Sequence, residues 1–302
     1  MIVTSSPHVR VTHLAPRARN IPDILRLRAL RNGAQPALYS RQNERWEHLT
    51  WAEFHRRTTQ VARGLGELGL ARGERVAIVG PTQAPWTIYD QGAQLAGLVP
   101  LGIYPQQTVE QIRYLLTHSE ARAVFVGDAE ELGPVLAACR ELPQVVAIVP
   151  WTQELYESAR ERDPRIMSPQ RFAGAALSTA EVEELLAAID PTDTALLIYT
   201  SGTTGPPKGA MLSHRNVLSM LSCEEVMQDY YEDDVTLSFL PMAHVAERVL
   251  SNYGRISGGI ATAFASSVGA VLTEIREIAP MVFGSVPRLF EKAYTKIHGE
   301  IE

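Results

Sequence analysis

Cysteine is scarce: only Cys139 and Cys223 occur, far apart and in no paired spacing. That excludes a disulfide framework or a cysteine zinc site and points to two reduced thiols. Positive charge is not in excess either, since 28 Lys and Arg against 34 Asp and Glu leave a formal net charge of −6. A nucleic-acid backbone as main partner requires clustered cations, so that class is set aside, and a polyanionic ligand must find local positive charge. No uninterrupted apolar run reaches the length that spans a bilayer. The first twenty residues carry Arg10, Arg17 and Arg19 with Pro7 and Pro16 but lack the apolar segment of a secretory signal. The lack of any acid before Asp23 is all that speaks for an organelle address, and residues 1–20 are read as a plain N-terminal tail. Internal repeats and low-complexity tracts are absent as well.

What is present is ordinary globular material. The 302 residues are 45% hydrophobic and 21% charged, enough for a packed core and too apolar for disorder as the main state. The length suits one large domain or two smaller ones, because single cores stop growing at roughly 250–300 residues.

Helix and strand signals alternate along the chain. Thr50 and Glu53 form a capping box before Trp51, Phe54, Thr58, Val61, Leu65 and Leu68, whose spacing predicts an amphipathic helix closed by Gly69. Arg75 to Val79 reads as a buried strand opening at Gly80-Pro81, and Trp86 to Leu98 as a helix. A second box, Thr108 and Gln111, precedes a helix through Leu116, and strands are expected at Ala123 to Val126 and Val145 to Val149. Residues 150–178 lose periodicity and read as a connecting excursion, helical in part. Ser178 and Glu181 cap a short acidic helix ending near Ile189, and Asp190-Pro191 turns the chain into a strand at Ala195 to Tyr199. The alternation implies an α/β fold of layered sheets with flanking helices and a largely parallel sheet.

Directly after that last strand stand Thr200, Ser201, Gly202, Thr203, Thr204, Gly205, Pro206, Pro207, Lys208 and Gly209. Glycines let successive N–H groups face one side of a tight loop, hydroxyls add donors, and Lys208 supplies the local charge that an acidic chain otherwise lacks. Together they can wrap a polyphosphate. Any three or four such residues make a common solvated turn, but ten in order do not. A Walker A loop is excluded: Lys208 is followed by glycine, and Pro206 and Pro207 have no N–H to offer.

The run from Tyr199 to Asn216, YTSGTTGPPKGAMLSHRN, resembles the signature of the adenylate-forming superfamily, which includes acyl-CoA synthetases and luciferases. The resemblance implies that Thr200 to Gly205 handle the β- and γ-phosphates of ATP, that Lys208 assists catalysis, and that Thr200 ligates Mg2+. Ser213 to Asn216 suit the cap of the next helix, with no catalytic role. After a strand at Val235 to Ser238, the run Phe239 to Arg248, FLPMAHVAER, is similar to the long-chain fatty acyl-CoA synthetases. This implies that His244 binds substrate, near the fatty-acid carboxylate or its tunnel, although a histidine before a helix often serves only as a cap or a packed ring. Glu247 and Arg248 need do no more than pair with each other. A third run, Phe283 to Lys292, resembles the same branch; Pro287 there suits the first turn of a helix, and Arg288 bridges helices or aids an anion.

By this resemblance residues 21–302 are an incomplete AMP-binding domain, the acyl-CoA synthetase-like N-terminal part, truncated before the acidic magnesium motif, the ribose-binding aspartate, the hinge and the C-terminal lid domain. The expected reaction is ATP-dependent activation of a long-chain fatty acid and transfer to coenzyme A, with little activity from the 302 residues alone. Expected partners are the fatty acid, ATP, Mg2+ and coenzyme A, with no nucleic acid; a cytoplasmic place, peripheral membrane contact and a homodimer are compatible with the sequence. Two alternatives stay open: an adenylating enzyme for an amino or aryl acid, and a non-catalytic nucleotide-binding fragment of a split protein.

Overall fold

The computed structural model describes residues 9–200, 205–227 and 229–301. Helix α1 (Ile21–Asn32) leads into the antiparallel pair β1 (Pro36–Gln42) and β2 (Arg45–Thr50), then α2 (Trp51–Gly66). Strand and helix next alternate through β3 (Arg75–Val79), α3 (Ala84–Leu95), β4 (Val99–Ile103), α4 (Val109–His118), β5 (Ala121–Val126), α5 (Ala129–Cys139) and β6 (Ala147–Pro150). The excursion that follows holds α6 (Gln153–Glu157) and a 3₁₀ turn at Pro169–Ala173, and α7 (Thr179–Ala188) then returns to the sheet. Beyond it come β7 (Thr194–Thr200), β8 (Lys208–Ser213), α8 (His214–Met227), β9 (Val235–Ser238), a π-helix at Ala246–Tyr253, α9 (Gly254–Gly258), β10 (Ala261–Phe264), α10 (Val271–Ile278) and α11 (Pro287–Ile301).

Among the described residues the strands form a six-stranded sheet, ordered β6-β5-β3-β4-β7-β8, and a four-stranded sheet, β2-β1-β10-β9. Pairing is parallel except at β7–β8 and β1–β2. The period-two geometry of a strand divides the apolar residues between two cores. Val76, Ile78, Ala123 and Phe125 face the core shared with α1, α2, α3 and the second sheet. Ala77, Val79, Val124 and Val126 face the core beneath α4 and α5. Helix α3 touches both sheets, and α2 packs on α3 and on the smaller sheet, so a helical layer lies between the sheets. On the far side of the smaller sheet, Val235 and Leu237 pack with Val271 and Ile278 of α10.

Local signals account for most boundaries. Both predicted boxes at Thr108/Gln111 and Ser178/Glu181 form in full. The one at Thr50 forms only halfway: Thr50 accepts the Glu53 N–H at 3.2 Å, but the Glu53 carboxylate turns to Arg56 and Arg57, which hold its pKa down at about 2. The apolar face of α2 still buries Trp51, Phe54, Val61 and Leu65, each contributing about 1.5–3 kcal/mol over exposure. Ser213 and Asn216 cap α8 reciprocally, Ser213 Oγ accepting the Asn216 N–H at 3.1 Å and Asn216 Oδ1 the Ser213 N–H at 3.0 Å. Between them His214 accepts the Ile21 N–H through Nδ1 at 3.2 Å, a neutral role consistent with a pKa pushed down to about 4 by burial.

Residues 9–20, read as part of a tail, are packed from Val11 onward: Val11, Leu14 and Ala15 are buried, and Val11 N–H donates to the Tyr230 carbonyl at 2.8 Å. Cys139 and Cys223 are free thiols, and burial pushes Cys139 up to about 12. No helix among the described residues is long and apolar enough to cross a membrane.

Candidate functional site

β3, β4 and β7 run parallel in the large sheet, so their C-terminal ends reach one edge. Ligands of open α/β sheets bind outside such edges. Two segments converge there, one leaving β7 and one lying over β4.

The first is the predicted phosphate loop. β7 ends at Thr200 and the chain returns antiparallel as β8 from Lys208, with Thr200 directly opposite Lys208 and Tyr199 opposite Gly209. Cross-strand partners share a face of the sheet, so the Thr200 hydroxyl and the Lys208 ammonium stand together at the open end, both exposed. Gly205 is exposed with φ 92°, a conformation that favours glycine. Ser201, Gly202, Thr203 and Thr204 lie outside the described residues.

The second segment runs from β9 through Leu240 to His244. Thr82 donates its hydroxyl to the Leu240 carbonyl at 2.7 Å, and Ala243 rests on Gly102 of β4 so closely that a Cβ at Gly102 would stand 2.7 Å from the Ala243 Cα. Only glycine admits this crossing. The substitution Gly102→Val is therefore expected to cost about 1–3 kcal/mol through overpacking, read as a lower urea midpoint; an unchanged midpoint would show that the segment yields freely. His244 itself is exposed, and its Nδ1 accepts the Ala246 N–H at 3.1 Å. That bond ties the ring to the first residue of the π-helix, on the strand-end edge.

Glu247 and Arg248 do not pair with each other. Successive helical residues point in different directions, and each finds other partners. Glu247 accepts from the Ser238 hydroxyl at 2.6 Å and from Arg255 at 2.8 Å. Arg248, fully buried over the Trp86 ring, pairs with Asp90 and donates to Tyr253 at 3.2 Å, to the Pro100 carbonyl of β4 at 3.1 Å and to the Leu197 carbonyl of β7 at 3.4 Å. Complete desolvation pushes the Asp90 carboxyl above the usual range, while Arg248, Tyr253 and Gln94 pull it back. This network joins the π-helix after His244 to the two strands whose ends carry the site. Its sequence trace is the polar stripe Thr87, Asp90, Gln91 and Gln94 at helical spacing in an otherwise apolar helix. Arg288 is exposed on the first turn of α11, which begins at Pro287 as expected.

Two further residues reach the hairpin from α4. Tyr114 donates its hydroxyl to the Pro207 carbonyl at 2.9 Å, and His118 Nδ1 lies 2.8 Å from the Tyr199 hydroxyl. Their i,i+4 spacing was the available signal, but the helix expected there stopped at Leu116 and α4 runs on to His118.

The family model described as AMP-binding enzyme matches residues 25–302. A long-chain-fatty-acid–CoA ligase of Xenopus laevis is 30% identical over 274 residues, 88% of this chain and 36% of the relative. The long-chain-fatty-acid–CoA ligase FadD15 of Mycobacterium bovis is 33% identical over 251 residues, 82% of this chain and 40% of the relative. Among solved structures, the didomain of a carboxylic acid reductase from Segniliparus rugosus in complex with AMP superposes with a TM-score of 0.82 at 24% identity, covering 96% of this chain and 46% of that one. The chain belongs to the AMP-binding enzyme family. It spans 36% and 40% of the length of those two curated relatives.

Proposed function

We propose that this chain forms the nucleotide-gripping portion of a ligase that activates a long-chain fatty acid with ATP and passes it to coenzyme A. The observation that carries the reading is the hairpin at the strand-end edge, which sets Thr200 opposite Lys208. A carboxylate is a poor electrophile because its own charge repels a nucleophile. Its oxygen instead attacks the α-phosphorus of ATP, the α–β phosphoanhydride bond breaks, and pyrophosphate leaves with the electron pair. The coenzyme A thiolate then attacks the acyl carbonyl, forming the thioester and expelling AMP.

The residues present work mainly by positioning and charge neutralisation. Lys208 offsets charge on the phosphate tail. The Thr200 hydroxyl would be one ligand to Mg2+, which would neutralise further phosphate charge when bound. A cavity of about 470 Å³ between α8 and the π-helix, lined by Met220, Met227, Leu250, Ile260 and Val282 but also by Glu224 and Arg255, has a size within the usual range for ligand sites and a mainly apolar wall that suits a hydrocarbon substrate, although it shares no lining residue with the hairpin or His244. The long-chain ligases among the relatives support such a substrate too.

The test is fatty acid-dependent pyrophosphate–ATP exchange. In a form of the protein extended to the relatives' length, palmitate is expected to exceed acetate, benzoate and amino acids by at least about tenfold, because each buried methylene adds discrimination. Equal or reversed rates would sink the long-chain assignment. Little exchange is expected from these 302 residues by themselves, and robust turnover would refute that part.

A further inference from the structure

β8 is the last strand of its sheet, with β7 as its sole sheet neighbour among the described residues. Edge strands leave one row of backbone groups without ladder partners, so the strand that begins with Lys208 is held by the sheet on one side only. Pro207, immediately before Lys208, has no N–H, and its carbonyl takes the Tyr114 hydroxyl at 2.9 Å. Across the hairpin, Tyr199, immediately before Thr200, has its hydroxyl 2.8 Å from His118 Nδ1. The two α4 side chains also support each other, with Tyr114 and His118 stacked at 5.4 Å and 28° and the His118 ring edge-on to Tyr199 at 5.7 Å. The Tyr199 ring in turn lies over Gly209, where a Cβ would stand 3.2 Å from its Cζ.

One face of α4 thus grips both arms of the hairpin, at Tyr199 in β7 and at Pro207 just before β8, each next to a proposed phosphate ligand. We infer that Tyr114 and His118 are positioning residues that set the mouth of the phosphate-binding hairpin and hold Lys208 where a nucleoside triphosphate meets it. The inference rests on the nucleotide reading above and adds to it how the grip is kept in place. A phenol is protonated at neutral pH, and burial pushes the Tyr199 pKa further up, so its hydroxyl remains a hydrogen-bonding partner for His118.

The experiment is calorimetric titration of this chain with MgATP, alongside backbone amide exchange at Lys208 and Gly209 and the thermal midpoint. Tyr114→Phe keeps the stacked ring and removes only the hydroxyl. It is expected to weaken MgATP about three- to tenfold, the worth of one neutral hydrogen bond, to speed exchange at both amides, and to move the midpoint by less than about 4 °C. His118→Ala is expected to act in the same direction, and His118→Asn, which keeps a polar group near the Nδ1 position, to restore most of the affinity. If the unsubstituted chain binds MgATP and both Tyr114→Phe and His118→Ala bind it equally well, the positioning role is overturned while the nucleotide reading stands. An affinity loss that merely tracks a falling midpoint, with no rescue by His118→Asn, overturns it as well. No MgATP binding by the unsubstituted chain sinks the nucleotide reading and this inference with it.

Discussion

Lys208→Ala is expected to weaken MgATP binding by about ten- to a hundredfold, because it removes a charge-assisted contact of about 1.5–3 kcal/mol. The effect should be large in this chain for a compositional reason. With a formal net charge of −6, the long-range field opposes a polyanion, and affinity must come from local cations and oriented N–H groups. Exposure of Lys208 at the hairpin end makes the contact sensitive to screening over a Debye length of about 8–10 Å. The unsubstituted chain should therefore lose affinity with added salt more steeply than the alanine variant. Lys208→Arg, which keeps the charge but not the compact ammonium, should fall between them. Equal MgATP affinity of the unsubstituted and alanine chains in low salt would remove the role given to this lysine.

The largest stability effect is expected at Arg248. Arg248→Met leaves the fully buried Asp90 carboxylate with only Tyr253 at 2.6 Å and Gln94 at 3.2 Å, and breaking a buried pair in this way costs about 3–5 kcal/mol. Removing both charges, as in Arg248→Met with Asp90→Leu, should cost much less than the sum of the two single changes, with a coupling of about 1–3 kcal/mol of opposite sign to the losses. Urea denaturation of the four forms gives this cycle directly. A single-variant loss under about 1 kcal/mol would show that Asp90 is neutralised by a proton, water or another group, and that the guanidinium does not hold the π-helix to β4 and β7.

How far the chain can be read without its fold depends on the range of each interaction. The box at Thr108 and Gln111, the box at Ser178 and Glu181, and the Ser213–Asn216 cap all close within three residues, so the same few side chains that signal them also make them. Strands Arg75–Val79 and Val235–Ser238 were legible at their observed bounds, the first as an apolar run ending at Gly80-Pro81 and the second as alternating Val235, Thr236, Leu237 and Ser238 after two aspartates. β4 was not. It contains Pro100 and Gly102, which ordinarily argue against a central strand, yet it lies between β3 and β7. There the Pro100 carbonyl receives Arg248, and Gly102 makes room for Ala243. β8 was missed for a related reason: Lys208 to Ser213 has no strong strand signal of its own and is a strand because β7 templates it.

Of the candidate site, the hydroxyl-, glycine- and lysine-bearing run was complete in the sequence, and its position after a buried strand followed from the apolar residues 195–199. The partners of the buried charges were not readable. Glu247 and Arg248 are neighbours in the chain, but Arg248 meets Asp90 across 158 positions and Glu247 meets Arg255. The amino-acid order by itself therefore determined what closes over a few residues: caps, turns, strand cores and the chemical character of the phosphate loop. Only the tertiary structure decided which strand ends lie side by side, which helix braces the hairpin and which charges pair. Those outcomes depend on which elements exclude water together, and no short stretch of chain carries that information.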